Sequence, residues 1–562
     1  MPEPEPSPSP AARVGLLLAI LAVAAALRFA GIGFGLAPPD SGPTLHPLAR
    51  PDEQYLWNLG LGIYAGDPNP HFFLYPTLLP YLLALADSAT VAAASWVQGS
   101  REAVELALLR DPRALILIDR GIVATIGAAT VLLVHRLAAV AFGWGTGIVA
   151  AGLLAVAHLH VRDSHFGVTD VPLAALVCAA LLPALRITSR GLGRDYALAG
   201  LLTGLAISTK YSGALLLPAI VAADLLGRAD GPARPLHRLA TALAFVPVGF
   251  LAGTPFALLA WPEFREDIVA QLQAQAGPDW LGVDLGSGWS HHLRFTLWHG
   301  LGPPLLVASL AGMVVALLRA PQPVLVLLAF AVPYTLVLGR GPLVFARYMI
   351  PLVPILCAMA AVAIVAAVGW LPRRRLAVSL ALAGLVAAPS LRDAIAFDRV
   401  LSRPDSRVLA ARWLAARVSP DATVFLVGAI FADPPIFLRG RKAYDPFPWP
   451  PRAWAGRLSV PSGPRHRRVR NAMDPAFDAI ARDEQVGWVV VAESPLLAYG
   501  PTASLERRLS GFRKVASFEG VGRHPEMRFD LQDAFYVPFA GASHALRPGP
   551  NVHVYARERE GP

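Results

Sequence analysis

The chain has 562 residues, 55% of them hydrophobic and only 16% charged, whereas a soluble globular chain carries about 25% charge, so the composition is that of a polytopic membrane protein. Its net charge of +10, from 49 basic against 39 acidic residues, is spread between apolar stretches and through the C-terminal part without a basic run or a nucleic-acid module, which argues against a nucleic-acid partner. Two cysteines, Cys178 and Cys357, each inside an apolar run, exclude both a disulfide framework and a cysteine zinc site.

The first residues, MPEPEPSPSP, form a low-complexity tail that cannot bury a core, and 1–13 is read as disordered and cytoplasmic. The apolar run 14–29 follows Arg13; no clear small-residue cleavage site succeeds it, so it is expected to stay as the first transmembrane helix. A polar, proline- and aromatic-rich segment over 31–75 comes next, too long for a tight connection between spans, and long ordered loops tend to be functional. Further apolar runs reach to 390 and predict a helical bundle of about 11 to 13 spans over 14–390. From 391 the charge density rises, and ATVFLVG, GWVVVAE and NVHVYAR read as strands around a helix over 405–418 closed by Pro420. The predicted fold is therefore mostly α, a polytopic transmembrane helical bundle with a C-terminal soluble α/β domain over 391–562.

Arginine clusters set the orientation. Arg186, Arg190 and Arg194, then Arg228, Arg234 and Arg238, then Arg373, Arg374 and Arg375 fall on one side if the run 77–97 lies along the outer face without crossing. The positive-inside rule makes that side cytoplasmic. The N-terminus is then inside, and Asp52, the segment 158–170, Lys210, Arg347 and the C-terminal domain share the extracytoplasmic side. Arg101, Arg110 and Arg113, also outside, are diluted by Glu102, Glu105 and Asp111.

Charges at membrane depth or its rim are costly and mark functional sites. Asp52 and Glu53 are adjacent, so their side chains diverge on any regular element: one suits a general base, while the alternative is a helix start with acids on its dipole. In HLHVRDSHFGVTDVP, Arg162 is suited to grip a phosphate, with Asp163 and Asp170 nearby; His158, His160 and His165 supply metal-ligand atoms but in no specific zinc spacing. Lys210, Arg347 and Tyr348 are either snorkelling anchors or the binding groups for an anionic lipid head group. Trp280, Trp289, Trp298, His291 and His292 line a sugar site or belong to an aromatic belt. Gly200 and Gly204 mark close helix packing.

The acidic pair Asp52-Glu53 in a long first outer loop, NPHFFLYPTLLPYLLAL with His71 and Tyr75, the segment from Arg162 to TDVPL, and LLTGLAISTKYSG together resemble the lipid-carrier-dependent GT-C glycosyltransferases. More narrowly they are similar to glycosyltransferase family 39, which includes protein O-mannosyltransferases and bacterial aminoarabinose transferases. The resemblance covers about the first 390 residues. It implies a bacterial inner-membrane enzyme and an inverting transfer from a polyprenyl-phosphate sugar to a hydroxyl acceptor on a glycan, lipid or protein. It casts Asp52 as the catalytic acidic residue with Glu53 its partner, Asp170 as the acid of the second outer loop, and Arg162, Lys210 and Arg347 with Tyr348 as holders of the carrier phosphate. His71, Tyr75, Asp163, His165 and Trp289 are weaker candidates for lining the substrate. The second-loop Asp-x-Asp of oligosaccharyltransferases is missing, since the aspartates are 163 and 170, and no obligatory metal cofactor is expected.

Two other classes compete. A flippase for a lipid-linked saccharide would carry paired repeats with broken mid-membrane helices, and no internal repeat is visible; a structural or signalling membrane protein would not need the acidic first loop. The C-terminal acids and histidines, Asp433, Asp445, His466, Glu493, His524, Asp530 and Asp533, fall in no catalytic spacing, so that domain is expected to cap the site and supply none of its chemical groups.

Overall fold

A computed structural model describes every residue except 1–8, 38–47, 49, 230–235, 277–282, 372–373, 429, 440–462, 471–472, 494–504, 534 and 559–562. Arg234, Trp280, Arg373 and Asp445, singled out above, lie outside the described residues.

Seven described helices are long and apolar enough to cross a membrane: Pro10–Phe29, Leu78–Gln98, Arg113–Phe142, Asp170–Ser189, Pro321–Leu338, Ala346–Ala367 and Arg375–Ala415. Gly288–Leu301 and Pro303–Arg319 are an eighth if counted together as one broken span, or else a re-entrant loop; they bend by 112° at Gly302, whose φ of +82° a side chain would strain. Trp144–Ala155, Tyr211–Gly227 and His237–Gly253 are apolar but shorter. The expected 11 to 13 spans thus include runs below the roughly 20 residues of a straight crossing. Helices Gly193–Thr209 and Leu236–Gly253 touch backbone to backbone: a Cβ on Gly200 would lie 2.0 Å from the Ala242 carbonyl oxygen, and one on Gly204 2.1 Å from that of Val246.

Several chain segments share one face of the bundle. Arg28, at the end of the first helix, donates to the carbonyls of Leu154 and Ala155 at 3.1 and 3.0 Å. Arg120, early in Arg113–Phe142, meets Glu53, and Asp170 opens the next helix beside Lys210. Leu78–Gln98 has both flanks tied to this layer. Thr77 donates to the Gly253 carbonyl at 2.8 Å, while beyond the helix Tyr64 donates to Glu105 at 2.6 Å and Leu108 packs by Trp57 and Ile116. Arg186, Arg190, Arg194, Arg238 and Arg375 stand at the other ends of their helices, and Arg238 donates to the Gly191 carbonyl at 2.5 Å.

The last membrane helix does not stop at 390. It runs as Arg375–Leu401, because 391–401 keep an apolar buried side through Ala394, Phe397, Val400 and Leu401. Helix Ser406–Ala415 then leads into five strands: β1 Thr423–Val427, β2 Arg465–Val469, β3 Val486–Glu493, β4 Phe512–Phe518 and β5 Asn551–Arg557, in the order β2-β1-β3-β5-β4. The pairs β1/β2 and β1/β3 are parallel, β3/β5 and β4/β5 antiparallel. Period-two alternation gives the sheet two buried faces: Phe425, Val427, Val489 and Val491 pack on one, and Val424, Leu426, Val490 and Val554 on the other. The connection 519–550 between β4 and β5 leaves the sheet entirely, and its Val521, Met527, Phe535, Val537 and Phe539 join the core of the membrane domain.

Candidate active site

Pro51 starts helix Pro51–Tyr64, and the Arg50 N–H reaches Glu53 Oε2 at 3.2 Å to cap it. Successive helical residues are turned by about 100°, so the two carboxylates diverge. Glu53 points inward, accepting from Arg120 Nε at 2.6 Å, Arg120 Nη2 at 3.0 Å and the Gly167 N–H at 3.0 Å. Asp52 points to the rim, 22% exposed, with Oδ2 2.7 Å from Arg347 Nη2. The neighbouring pair is Lys210 and Asp170, Nζ to Oδ1 2.6 Å, with Nζ 4.9 Å from the centre of the Tyr348 ring. Lys210 sits where Gly193–Thr209 gives way to the turn Tyr211–Leu216, so its side chain leaves from a chain break. Tyr211 donates to the Phe73 carbonyl at 2.7 Å, fastening the first loop to this turn. Tyr75 joins the group; burial and then the Asp52 carboxylate hold its hydroxyl well above the usual range.

Beneath this rim three guanidiniums converge on one carboxylate from the C-terminal domain. Asp533 hydrogen-bonds Arg50 and lies 3.6 Å from Arg347 Nη1 and 3.7 Å from Arg162 Nη2. Asp163 bridges the other sides of Arg50, at 2.5 Å, and Arg162, at 2.8 Å. The Phe535 ring lies 5.2 Å from the Arg162 guanidinium carbon and 5.7 Å from that of Arg50. Burial pushes both carboxylates up, but Arg162 and Arg50 outweigh it and hold Asp163 at about 2, and Arg50, Arg347 and Arg162 hold Asp533 below the usual carboxylate range. Asp530, close by, goes the other way: burial and the Asp533 charge push it up to about 6, although it accepts the Ala346 N–H at 2.8 Å. Gln532 completes the docking, accepting the Val344 N–H at 2.7 Å and donating to the carbonyls of Val283 and Pro342.

Residues 120–261 match the family model described as dolichyl-phosphate-mannose-protein mannosyltransferase. No curated protein matches the chain in sequence. Among solved structures, ArnT from Cupriavidus metallidurans in the apo state superposes with a TM-score of 0.53 at 16% identity, over 96% of this chain and 98% of that one. Its undecaprenyl phosphate-bound form gives 0.52 at 16%, with the same coverage. The Archaeoglobus fulgidus oligosaccharyltransferase gives 0.47 at 14%, over 86% and 70%. The fold is that of the GT-C glycosyltransferases. The family match spans 142 of the 562 residues, and the likeness to ArnT is one of fold.

The structure brings Asp52, Tyr75, Asp170, Lys210, Arg347 and Tyr348 together, and places the other candidates around them as follows. Arg162 is 1% exposed and engaged by Asp163 and Asp533, so an incoming phosphate would meet it only by displacing Asp533; Lys210 and Arg347, 15% and 8% exposed, are the cations at the rim. Glu53 is an internal brace. His158 reaches the Phe539 carbonyl at 2.9 Å and His165 those of Val161 and Ala30 at 2.9 and 2.8 Å; burial lowers both histidines, His165 to about 4. His71 is exposed and pairs with Glu263 at 2.8 Å, and Trp289, also exposed, donates to the Leu336 carbonyl at 3.2 Å.

The C-terminal domain, expected to supply none of the chemical groups, places Asp533 among the three arginines beneath the rim. One signal for it was present in the sequence: the 519–550 connection, about thirty residues between two paired strands, is far longer than an ordinary hairpin loop. Arg50 was missed as well, since its partners lie in other segments.

Proposed function

We propose that the protein moves a sugar from a polyprenyl-phosphate carrier to a hydroxyl acceptor at the extracytoplasmic membrane face, with inversion and with Asp52 as the general base. The observation that carries this reading is the pair of neighbouring ion contacts Asp52–Arg347 and Asp170–Lys210, 2.7 and 2.6 Å, which set a carboxylate beside two rim cations. Four cations, Arg50, Arg162, Arg347 and Lys210, face four carboxylates, Asp52, Asp163, Asp170 and Asp533. A bound phosphodiester therefore has to compete for cations already paired. Taking Arg347 and Lys210 from their aspartates binds the donor and at the same step frees Asp52.

The freed carboxylate takes the acceptor hydroxyl proton as that oxygen attacks the anomeric carbon, and the bond from that carbon to the phosphate oxygen breaks on the opposite side. The donor phosphodiester carries one negative charge and the departing phosphomonoester two, so the grip of Arg347 and Lys210 strengthens as the bond breaks. Binding of undecaprenyl phosphate by the similarly folded ArnT supports a lipid phosphate as the donor leaving group. Charge supports the side: Arg238 and the segment holding Arg190 and Arg194 meet at the Arg238–Gly191 hydrogen bond, and the positive-inside rule favours the cytoplasm for them. With both flanks in the site layer, Leu78–Gln98 runs along that face.

Purified full-length protein in nanodiscs, given a panel of polyprenyl-phosphate-linked pentoses and hexoses with membrane extract as acceptor, should transfer at least one sugar. Asp52→Asn should reduce the rate by a factor of about 10² to 10⁴ with donor binding retained; near wild-type turnover in that variant would refute the base assignment.

A further inference from the structure

The connection 519–550 carries a second constellation, away from the arginines. His524, Glu526 and His544 each offer a ligand atom, all within 4.8 Å of one another, on exposed side chains. The two imidazoles are stacked with centroids 3.8 Å apart and planes 6° from parallel. His544 Nε2 lies 2.7 Å from Glu526 Oε2. The backbone underneath is held: Arg528 and Ala540 form an antiparallel bridge, with the Arg528 N–H to the Ala540 carbonyl at 3.0 Å and the Ala540 N–H to the Arg528 carbonyl at 3.2 Å. His524 and Glu526 therefore stand just before this bridge and His544 just after it. The residues between the bridge strands are those that enter the membrane domain, including Asp530, Gln532 and Asp533.

From this placement we infer that His524, Glu526 and His544 form a binding site for a divalent transition-metal ion of the Zn²⁺ type, clasping the neck of the connection that delivers Asp533. Two imidazoles and a carboxylate are a sufficient protein ligand set for Zn²⁺, with water completing the shell. Ligand atoms around a tetrahedral ion with bonds of about 2.0 Å stand about 3.3 Å apart, so binding requires the two stacked rings to turn out of their parallel arrangement until a nitrogen of each faces the ion. His544 and Glu526 exchange their mutual hydrogen bond for the metal, and His524 gives up one long 3.3 Å bond from the Glu526 N–H. The cost is small, since all three side chains are already on the surface. The site begins 472 residues after Asp52 in the chain (524 − 52), and its assignment does not depend on the glycosyl-transfer reading. Its consequence is mechanical: an ion there ties the outgoing and returning limbs together and restrains the tip bearing Asp533.

The test uses the untagged full-length protein in detergent, stripped with chelator and titrated with Zn²⁺ alone. Calorimetry should show a site that weakens by at least about tenfold in His524→Ala and in His544→Ala, with metal-free thermal midpoints unchanged because both rings are exposed. His524→Gln and His544→Gln serve as second variants should either alanine form unfold. Hydrogen exchange read on the same samples should slow across 519–550 when Zn²⁺ is added to wild type and stay unchanged in the variants. Identical affinity and stoichiometry in wild type and variants, or Zn²⁺-induced protection that leaves 519–550 untouched, would overturn the assignment.

Discussion

Helix Pro51–Tyr64 and the connection 519–550 each bring a carboxylate to Arg347, at 2.7 Å for Asp52 and 3.6 Å for Asp533, yet the two carboxylates differ in what surrounds them. Asp52 is 22% exposed and faces one guanidinium, whereas Asp533 is 3% exposed and faces three. A carboxylate that can be released from one cation at a wet rim is suited to take up a proton. One enclosed by three arginines is held ionised and serves to keep like charges together. Identical chemistry thus divides into a reacting group and a keystone according to burial and partner count.

Several substitutions probe this division. The largest effect belongs to Asp52→Asn, which should abolish transfer while thermal unfolding of the purified protein moves little; a large drop in the midpoint would make Asp52 a second keystone. Asp533→Ala should do the reverse in kind, because leaving buried arginines uncompensated costs about 3–5 kcal/mol, read as a lowered unfolding midpoint and loosened docking of 519–550 in hydrogen exchange. Adding Arg162→Met to Asp533→Ala should recover part of that loss, a non-additivity expected of contacting charges. Unchanged stability in Asp533→Ala would dissolve the comparison.

The cations divide in the same way. Lys210→Met should lower transfer more than donor binding, since its contact strengthens as charge develops on the leaving phosphate. Arg162→Met, with its partners Asp163 and Asp533 sealed inside, should appear first as lost stability. Equal kinetic profiles for the two variants would return Arg162 to the donor-binding set.

The smallest effects are in the pH dependence. Asp163 is held at about 2 and Asp533 is also depressed, so their contribution is complete above about pH 5, past the ordinary carboxylate range, and is lost as pH falls toward the folded values. Asp530, raised to about 6, has the opposite sign: its contribution is complete in acid, below the ordinary carboxylate range, and fades as pH rises through 6. The thermal midpoint should therefore peak near pH 5, and Asp530→Asn should flatten the decline on the alkaline side by a degree or two. A midpoint that rises steadily from pH 5 to 8 would contradict these signs.

How much was readable from sequence follows the same boundary. At the rim, Lys210 and Arg347 interrupt or border apolar runs, where a charge stands out against its surroundings, Asp52 lies in a polar loop too long for a tight connection, and adjacency alone required Asp52 and Glu53 to diverge. The roles beneath it were not. Arg162 looked like a phosphate ligand because its partner Asp533 is hundreds of residues away, and an acid in a polar domain gives no local sign that it will be buried among arginines. The strands of the C-terminal domain were visible as a short apolar run in Thr423–Val427 and by alternation in Asn551–Arg557, whereas the excursion of 519–550 into the membrane domain depends on tertiary packing of Phe535 and Phe539. The change in charge density after 390 precedes the end of the helix at Leu401.

The central claim is that a lipid phosphate exchanges with the rim carboxylates while the Asp533 keystone stays in place. An electron cryomicroscopy structure of the full chain with bound polyprenyl phosphate tests it most directly. The account predicts the phosphate within hydrogen-bond distance of Arg347 and Lys210, the Asp52–Arg347 contact opened, and Asp533 still enclosed by Arg50 and Arg162. A phosphate bound elsewhere with Asp52–Arg347 intact, or seated in the place of a displaced Asp533, would contradict it.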